Sequence, residues 1–246
     1  MRQSHPPIII MDFDGVILPS IGARLAILRL LKDDRYAWDK EQLKKYTTLD
    51  LIRRVENINS DKDFKNAYKI FSKFKDILPN PFDRIRFLLS FRYSFQKSEI
   101  TYSKLFPYVK STLTELAKHA IIGICSNSEK RRIYQWLTKY TLSSLITAYS
   151  TRDDRKLYGI KPNPRILLLV LWRIKKNLNF AAPIDKKRVF FVGDNVSDVK
   201  TAQRAGVKSI AVLTGNSTEK ELQNANPDFI IPTLKEILSI SELFQI

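Results

Sequence analysis

The sequence predicts an α/β fold in which a parallel sheet carries helices on both faces. Two observations lead there. After Pro107, short runs of branched apolar residues alternate with amphipathic helical segments, the pattern of successive strand–helix crossovers. The first such run, Ile8–Met11, is apolar at every position and not at every second one, as a strand buried on both faces must be. Composition agrees: 246 residues, 44% hydrophobic and 27% charged, make one large globular domain or two small ones and exclude a disordered chain.

In chain order, Ile8–Met11 is the first strand and stops at Asp12. From Ser20 to Leu105 the chain turns lysine- and phenylalanine-rich, with helical spacing and no strand pattern. In Asp61–Leu78, Phe64, Ala67, Tyr68, Phe71, Phe74 and Leu78 recur three or four apart, and Ser60 or Asp61 can cap the start. Asn80-Pro81 opens a second helix through Phe82, Ile85, Leu88, Leu89 and Phe95; proline is tolerated in a first turn, where its missing N–H has no intrahelical partner to lose. Beyond Pro107, Val109–His119 reads as helix, Ala120–Cys125 as buried strand, Glu129–Lys139 as helix and Leu145–Tyr149 as strand. Asn163–Lys176 is a helix with a broad apolar face, Arg188–Val192 a strand, Val196–Ala205 a helix and Ser209–Leu213 a strand. Asp228–Ile231 is a last strand before a C-terminal helix from about Thr233. Right-handed crossovers put the carboxyl ends of such strands on one edge, where open α/β sheets bind ligands.

Polar residues gather at those ends. The first strand runs into Asp12-Phe13-Asp14-Gly15, the second into Cys125-Ser126-Asn127, and the strand Arg188–Val192 into Gly193-Asp194 with Asp198 beyond; Gly159-Ile160-Lys161-Pro162 precedes a helix. Residues two apart in an extended segment point the same way, so Asp12 and Asp14 reach one volume. One carboxylate can attack an electrophile while the other carries a proton to the leaving group. Asp194 adds a third carboxylate, and such a crowd needs a hard cation, best Mg²⁺. Lys161 can neutralise further negative charge, Ser126 can donate to a phosphoryl oxygen, and Gly15 can let main-chain N–H groups approach it. Alone, each piece also reads as ordinary structure, Asp194 or Asn195 for instance as a helix cap; the four together point to catalysis.

Other chemistries are excluded. One cysteine, Cys125, allows no intrachain disulfide and no cysteine-rich zinc site, and two histidines, His5 and His119, build no histidine cage. The run Ile166–Trp172 falls far short of the ~20 residues that cross a bilayer. The apolar stretch before Asp12 is too short for a secretory segment, so a cytoplasmic chain with no membrane partner is expected. Lys+Arg number 42 against 25 Asp+Glu, a net +17 that suits phosphorylated metabolites or nucleic acid. Ser20–Leu105 carries +8 of it and the rest of the chain +9, so no nucleic-acid clamp stands out.

These residues resemble the haloacid-dehalogenase-like hydrolases over roughly residues 6–20 and 105–232. Asp12-Phe13-Asp14-Gly15-Val16 looks like the family's first motif, Ser126-Asn127 its second, Lys161-Pro162 its third and Gly193-Asp194 through Asp198 its fourth. The stretch from Val189 to Val212 is especially similar to the phosphoglycolate-phosphatase-like branch. The resemblance implies a Rossmann-like core (1–19 and 106–246) with an inserted α-helical cap (20–105). It implies a phosphatase acting through an aspartyl phosphate on Asp12, with Asp14 as acid and then base. It also implies Mg²⁺ held by Asp12, the Asp14 carbonyl and Asp194, with Asp198 in the outer shell, and the phosphoryl group held by Ser126, Asn127 and Lys161. Having Asp14 favours phosphate esters over carbon–halogen bonds, whose leaving group needs no proton. Pro19 stands where the family commonly has an acidic residue, which touches cap contacts and not chemistry. A small phosphorylated metabolite is the expected substrate, with Arg24, Arg53, Arg54 and Lys97 as candidate contacts. The alternatives are a phosphomutase on a sugar phosphate and a basic nucleic-acid or protein-binding module on the same fold.

Overall fold

The computed structural model of the chain describes residues 5–55 and 72–243. It divides into two compact units, Met1–Pro19 with Leu105–Ile246, and Ser20–Lys104. The first strand, β1 (Ile8–Met11), leads into the helices α1 (Ile21–Leu31), α2 (Lys40–Leu43), α3 (Thr48–Val55) and α4 (Pro81–Tyr102) of the second unit. The chain then returns through α5 (Val109–Leu116), β2 (Ile121–Cys125), α6 (Lys130–Lys139), β3 (Ala148–Ser150), α7 (Arg155–Tyr158) and α8 (Pro164–Asn177). It ends with β4 (Val189–Gly193), α9 (Val196–Ala205), β5 (Lys208–Val212), α10 (Glu219–Asn224), β6 (Phe229–Ile231) and short 3-10 turns.

The strands form one sheet in the order β3-β2-β1-β4-β5-β6, every pair parallel. This is the expected Rossmann-like α/β architecture. β1 lies in the middle, and the order of connection reverses there, which opens a crevice at its carboxyl end. Met11 is level with Ile124 on β2 and Val192 on β4, so Asp12, Ser126 and Asp194 leave the sheet at one edge. The uniform apolarity of β1 has its reason here. Ile9 and Met11 pack with Val109, Leu113 and Leu137 on one face, while Ile8 and Ile10 pack with Leu167, Val170 and Ile174 on the other. All four are fully buried, each contributing about 1.5–3 kcal/mol relative to exposure. A charge at any of them would break the sheet at its centre.

The second unit has its own core, in which Ile27, Leu30, Leu51, Phe74, Phe87 and Phe91 meet. No strand occurs in it among the described residues. Its long helix α4 starts as expected, with Asn80 Oδ1 accepting from the Phe82 N–H and Pro81 in the first turn. The face is another matter: Phe82, Ile85 and Leu89 are exposed, and Phe87 and Phe91 are buried in their place. Apolar residues lie all round this helix, so periodicity does not select a side.

Other expectations shift or fail. Phe64 and most of the helix expected over Asp61–Leu78 lie outside the described residues, and Phe74–Ile77 is a turn. The strand expected at Leu145–Tyr149 is Ala148–Ser150, because Ser143–Leu145 winds into a 3-10 turn. The C-terminal helix expected from Thr233 is a 3-10 segment, Leu234–Ser239. Its Thr233–Glu236 capping box is that of a helix start, but Leu234 and Ile237, three apart, both point into the core. A period of three favours the tighter winding.

Candidate active site

Asp12 follows β1 directly, its main-chain N–H donating to the Val192 carbonyl at 2.8 Å, so its position is set by the sheet. Asp12 Oδ1 accepts from the Phe13 N–H at 2.6 Å, and Oδ2 lies 2.6 Å from Lys161 Nζ. The same ammonium lies 2.6 Å from Asp198 Oδ1. Asp12, Asp194 and Asp198 are buried, and one oxygen from each falls within 4.8 Å of the others. Three buried carboxylates thus face one buried ammonium, and burial pushes Asp12 up to about 6 against the pull of Lys161, with Asp198 and Asp14 adding to the rise. Burial also raises Asp194 well above the usual carboxylate range, helped by its neighbours Asp198 and Asp12. Lys161 is desolvated too, but the Asp12 and Asp198 carboxylates outweigh that and keep it charged.

The arrangement fits a divalent cation held by oxygen. Asp198 Oδ1 is buried, and although close to Lys161 Nζ it lacks hydrogen-bond geometry to any partner. Three buried carboxylates against one ammonium leave acceptors over, and a hard cation satisfies them. Asp198 does a second job: its Oδ2 accepts from the Asn195 N–H at 3.0 Å, closing a capping box at the start of α9. The cap reading of this motif holds, and it leaves Asp198 Oδ1 beside Lys161. The resemblance implies an outer-shell place for Asp198, and one of its oxygens falls within 4.8 Å of those of Asp12 and Asp194.

Asp14 is the departure. Its carboxylate is not part of this cluster. Arg132 on α6 forks onto it, Nη2 donating to Oδ1 at 2.6 Å and Nη1 to Oδ2 at 2.8 Å, and Ser128 Oγ donates to Oδ2 at 2.5 Å. Burial alone would raise Asp14, but Arg132 and Ser128 prevail and hold it below the usual range. The sequence reading missed both partners. Ser128 sits two residues past Ser126 in the same loop, which was a usable signal; Arg132, 118 positions from Asp14, offered none.

Ser126 is buried after β2, its Oγ accepting from the Ser128 N–H at 3.2 Å. Asn127 turns its side-chain oxygen onto the Lys161 main-chain N–H at 3.1 Å, tying the second loop to the third. The Gly15 N–H itself donates to the Leu18 carbonyl at 2.7 Å. Glycine is required here: its φ is +78°, and a Cβ there would sit 2.4 Å from the Asp194 carboxyl carbon. The loop after β5 was also unforeseen. Thr214 Oγ1 donates to the Gly15 carbonyl at 2.6 Å and the Asn216 N–H to Asp194 Oδ2 at 2.8 Å. A Cβ at Gly215 would overlap that same carboxylate. Of the candidate contacts in the second unit, Arg54 forks onto Asp76 and stacks on the Tyr46 ring, so it is committed to its own unit. The side chain of Arg53 lies outside the described residues.

The family model for haloacid dehalogenase-like hydrolases matches residues 9–212, a span that takes in Asp12, Asp14, Ser126, Lys161, Asp194 and Asp198. The chain belongs to that family. Among curated relatives it is 30% identical over 146 residues to a phosphoglycolate phosphatase of Photorhabdus laumondii, covering 59% of this chain and 58% of that one. It is 26% identical over 156 residues to a pyrophosphatase of Oceanobacillus iheyensis, covering 63% and 68%. The chain thus spans little more than half the length of the first of these. Among solved structures, a Bacteroides fragilis protein proposed to be a haloacid dehalogenase-like hydrolase aligns at TM-score 0.65 and 26% identity, covering 95% of this chain and all of that one. A Haemophilus somnus protein predicted to be a phosphoglycolate phosphatase aligns at TM-score 0.68 and 21% identity over 97% and 99% of the two chains, a likeness of fold.

Proposed function

We propose that the chain is a Mg²⁺-dependent phosphatase that hydrolyses a small phosphorylated metabolite through an aspartyl phosphate on Asp12. One observation carries this reading: the end of β1 delivers two carboxylates to different environments. Asp12 enters a buried acidic cluster with Lys161, and Asp14 stands outside it, paired with Arg132. Two carboxylates with separate surroundings suit separate roles, and a bound cation would hold Asp12 ionised against the burial that raises it. Asp12 would form the bond to phosphorus as the bond to the leaving oxygen breaks, and that oxygen would take its proton from Asp14, which has to enter the step protonated against the pull of Arg132. Asp14 would then take a proton from the water that displaces phosphate from Asp12. Lys161 and Ser126 would bind phosphoryl oxygens. Asn127, its side chain engaged with the Lys161 loop, would add its main-chain N–H. Asp12, Asp194, Asp198 and the Asp14 carbonyl would hold Mg²⁺, which when bound supplies positive charge to the phosphoryl oxygens and relieves repulsion among the carboxylates.

The helical unit Ser20–Lys104 would serve as a cap that selects the substrate. The name of the Photorhabdus laumondii relative supports a phosphoglycolate-like acid as the leading example, and the reaction would take place in the cytoplasm. A panel of phosphate esters incubated with Mg²⁺ and read by phosphate release tests the reading. Hydrolysis of at least one alkyl phosphate, abolished by chelation, is expected. Full activity after exhaustive chelation would remove the cation from the mechanism. A sugar phosphate isomerised faster than it is hydrolysed would make the protein a phosphomutase.

A further inference from the structure

We propose that Arg132 is a positioning residue that keeps Asp14 out of the acidic cluster, leaving its carboxylate for the leaving group; this rests on the phosphatase reading above. Four aspartates lie at one edge of the sheet, and three of them, Asp12, Asp194 and Asp198, share a volume a cation would fill. Asp14 is only two residues from Asp12, and a carboxylate with no other partner would be drawn to a divalent cation so near. The fork from Arg132 prevents that. It engages both oxygens of Asp14, and Ser128 Oγ, itself accepting from Arg132 Nη1 at 2.9 Å, takes a second lone pair on Oδ2. One acceptor direction on Oδ1 remains, enough to accept from the attacking water, and it is the place where a proton for the ester oxygen would have to stand.

The fork is held in place. Arg132 rises from the first turn of α6, directly after the Ser126–Ser128 loop, and its guanidinium lies 5.5 Å from the centre of the buried Phe13 ring. Its side chain is about one-fifth exposed and that of Asp14 about one-third, so solvent reaches the pair while most of it stays in the wall. Phe13 lies between Asp12 and Asp14, so the residue that separates the two carboxylates in sequence also seats the cation that separates them in space. A lysine could replace the charge but not the paired contact, because an ammonium cannot form a planar fork.

The test compares Arg132→Ala and Arg132→Lys with wild type on an alkyl phosphate and on 4-nitrophenyl phosphate, whose leaving group needs no proton. Arg132→Ala should lower kcat on the alkyl ester about 10²-fold, the usual effect of misplacing a reacting group, with KM nearly unchanged. On the aryl ester it should change kcat by less than about threefold, and Arg132→Lys should recover part of the loss. The Arg132→Ala effect should vanish when Asp14 is already Asn, and Mn²⁺ should bind the Arg132→Ala protein more tightly by calorimetry as Asp14 joins the cluster. Equal losses on both esters, a rise in KM with kcat intact, or an effect undiminished beside Asp14→Asn would overturn the proposal and assign Arg132 to phosphate binding. Asp14→Asn alone reads the mechanism: if it does not distinguish the two esters, the acid–base role itself is wrong and the positioning role falls with it. Should Arg132→Ala fail to fold, Arg132→Lys carries the same comparison.

Discussion

Asp12 and Asp14 are two residues apart, and the physical difference between them is the company each keeps. Asp12→Asn should abolish turnover while leaving the fold intact, since an amide cannot form the acyl phosphate. Asp14→Asn should slow an alkyl ester by ~10²–10⁴ and an activated aryl ester far less. Steady-state rates on the two esters decide both points, and near-normal turnover by Asp12→Asn would exclude a covalent intermediate. The buried acids also make stability depend on pH. Asp12 rises from 3.8 to about 6 on folding, so between those values the folded protein binds more protons than the unfolded one. Without a divalent cation, this group's contribution to stability therefore falls as pH rises through that window, and Asp194 adds in the same direction. Mg²⁺ should raise Tm clearly above pH 7 and little near pH 5, where protons compete with it. A scanning-calorimetry shift of equal size at both would contradict the assignment of the cation to these carboxylates.

The start of α9 joins a helix cap to the site. Asn195 Oδ1 accepts from the Ser197 N–H and Asp198 Oδ2 from the Asn195 N–H. Asn195→Ala should cost about 1 kcal/mol of stability, typical for a lost N-cap. Asp198→Asn keeps an oxygen that can accept from Asn195 but loses the charge beside the buried Lys161 ammonium, so it should lower stability and weaken Mg²⁺ binding together. Denaturant melts and calorimetry of the two variants should separate the roles; a large stability loss in Asp198→Asn with unchanged Mg²⁺ affinity would reduce Asp198 to a cap. Elements were legible to differing degrees. β1 and β4 could be read from uniform apolarity, which burial on both faces demands, and α8 and α9 from their Asn163 and Asn195 caps. The buried face of α4 could not be read, since Phe82, Ile85 and Leu89 compete with Phe87 and Phe91 and the neighbouring helices choose.

Over the whole molecule the net charge of +17 needs a purpose or a bland cause. Nucleic acid held by six or more phosphates would be lost about 10³-fold between about 50 and 200 mM salt. Steering of a small anionic substrate would instead touch only kcat/KM, and modestly. The second outcome is expected, because the charge is divided almost evenly between Ser20–Leu105 and the rest of the chain. Titration with random single- and double-stranded oligonucleotides at both salt concentrations, beside kcat/KM for a phosphate ester, decides. Submicromolar binding that collapses with salt would move the substrate to phosphorylated nucleic-acid ends. No helix among the described residues is long and apolar enough to cross a membrane.

By itself the sequence determined the alternation of strand and helix, the burial of Ile8–Met11 on both faces and the arrival of Asp12, Ser126 and Asp194 at strand ends, because these follow from local periodicity and parallel connection. Only the tertiary structure decided which carboxylates share a volume. It brought Asp198 into the group with Asp12 and Asp194, and it turned Asp14 away onto Arg132, 118 positions distant. It also laid the Thr214–Asn216 loop against Gly15 and Asp194, 199 and 22 positions away. Such partners are chosen by the meeting of sheet-edge loops, and a charge or a glycine in a loop carries no local pattern that says whom it will meet.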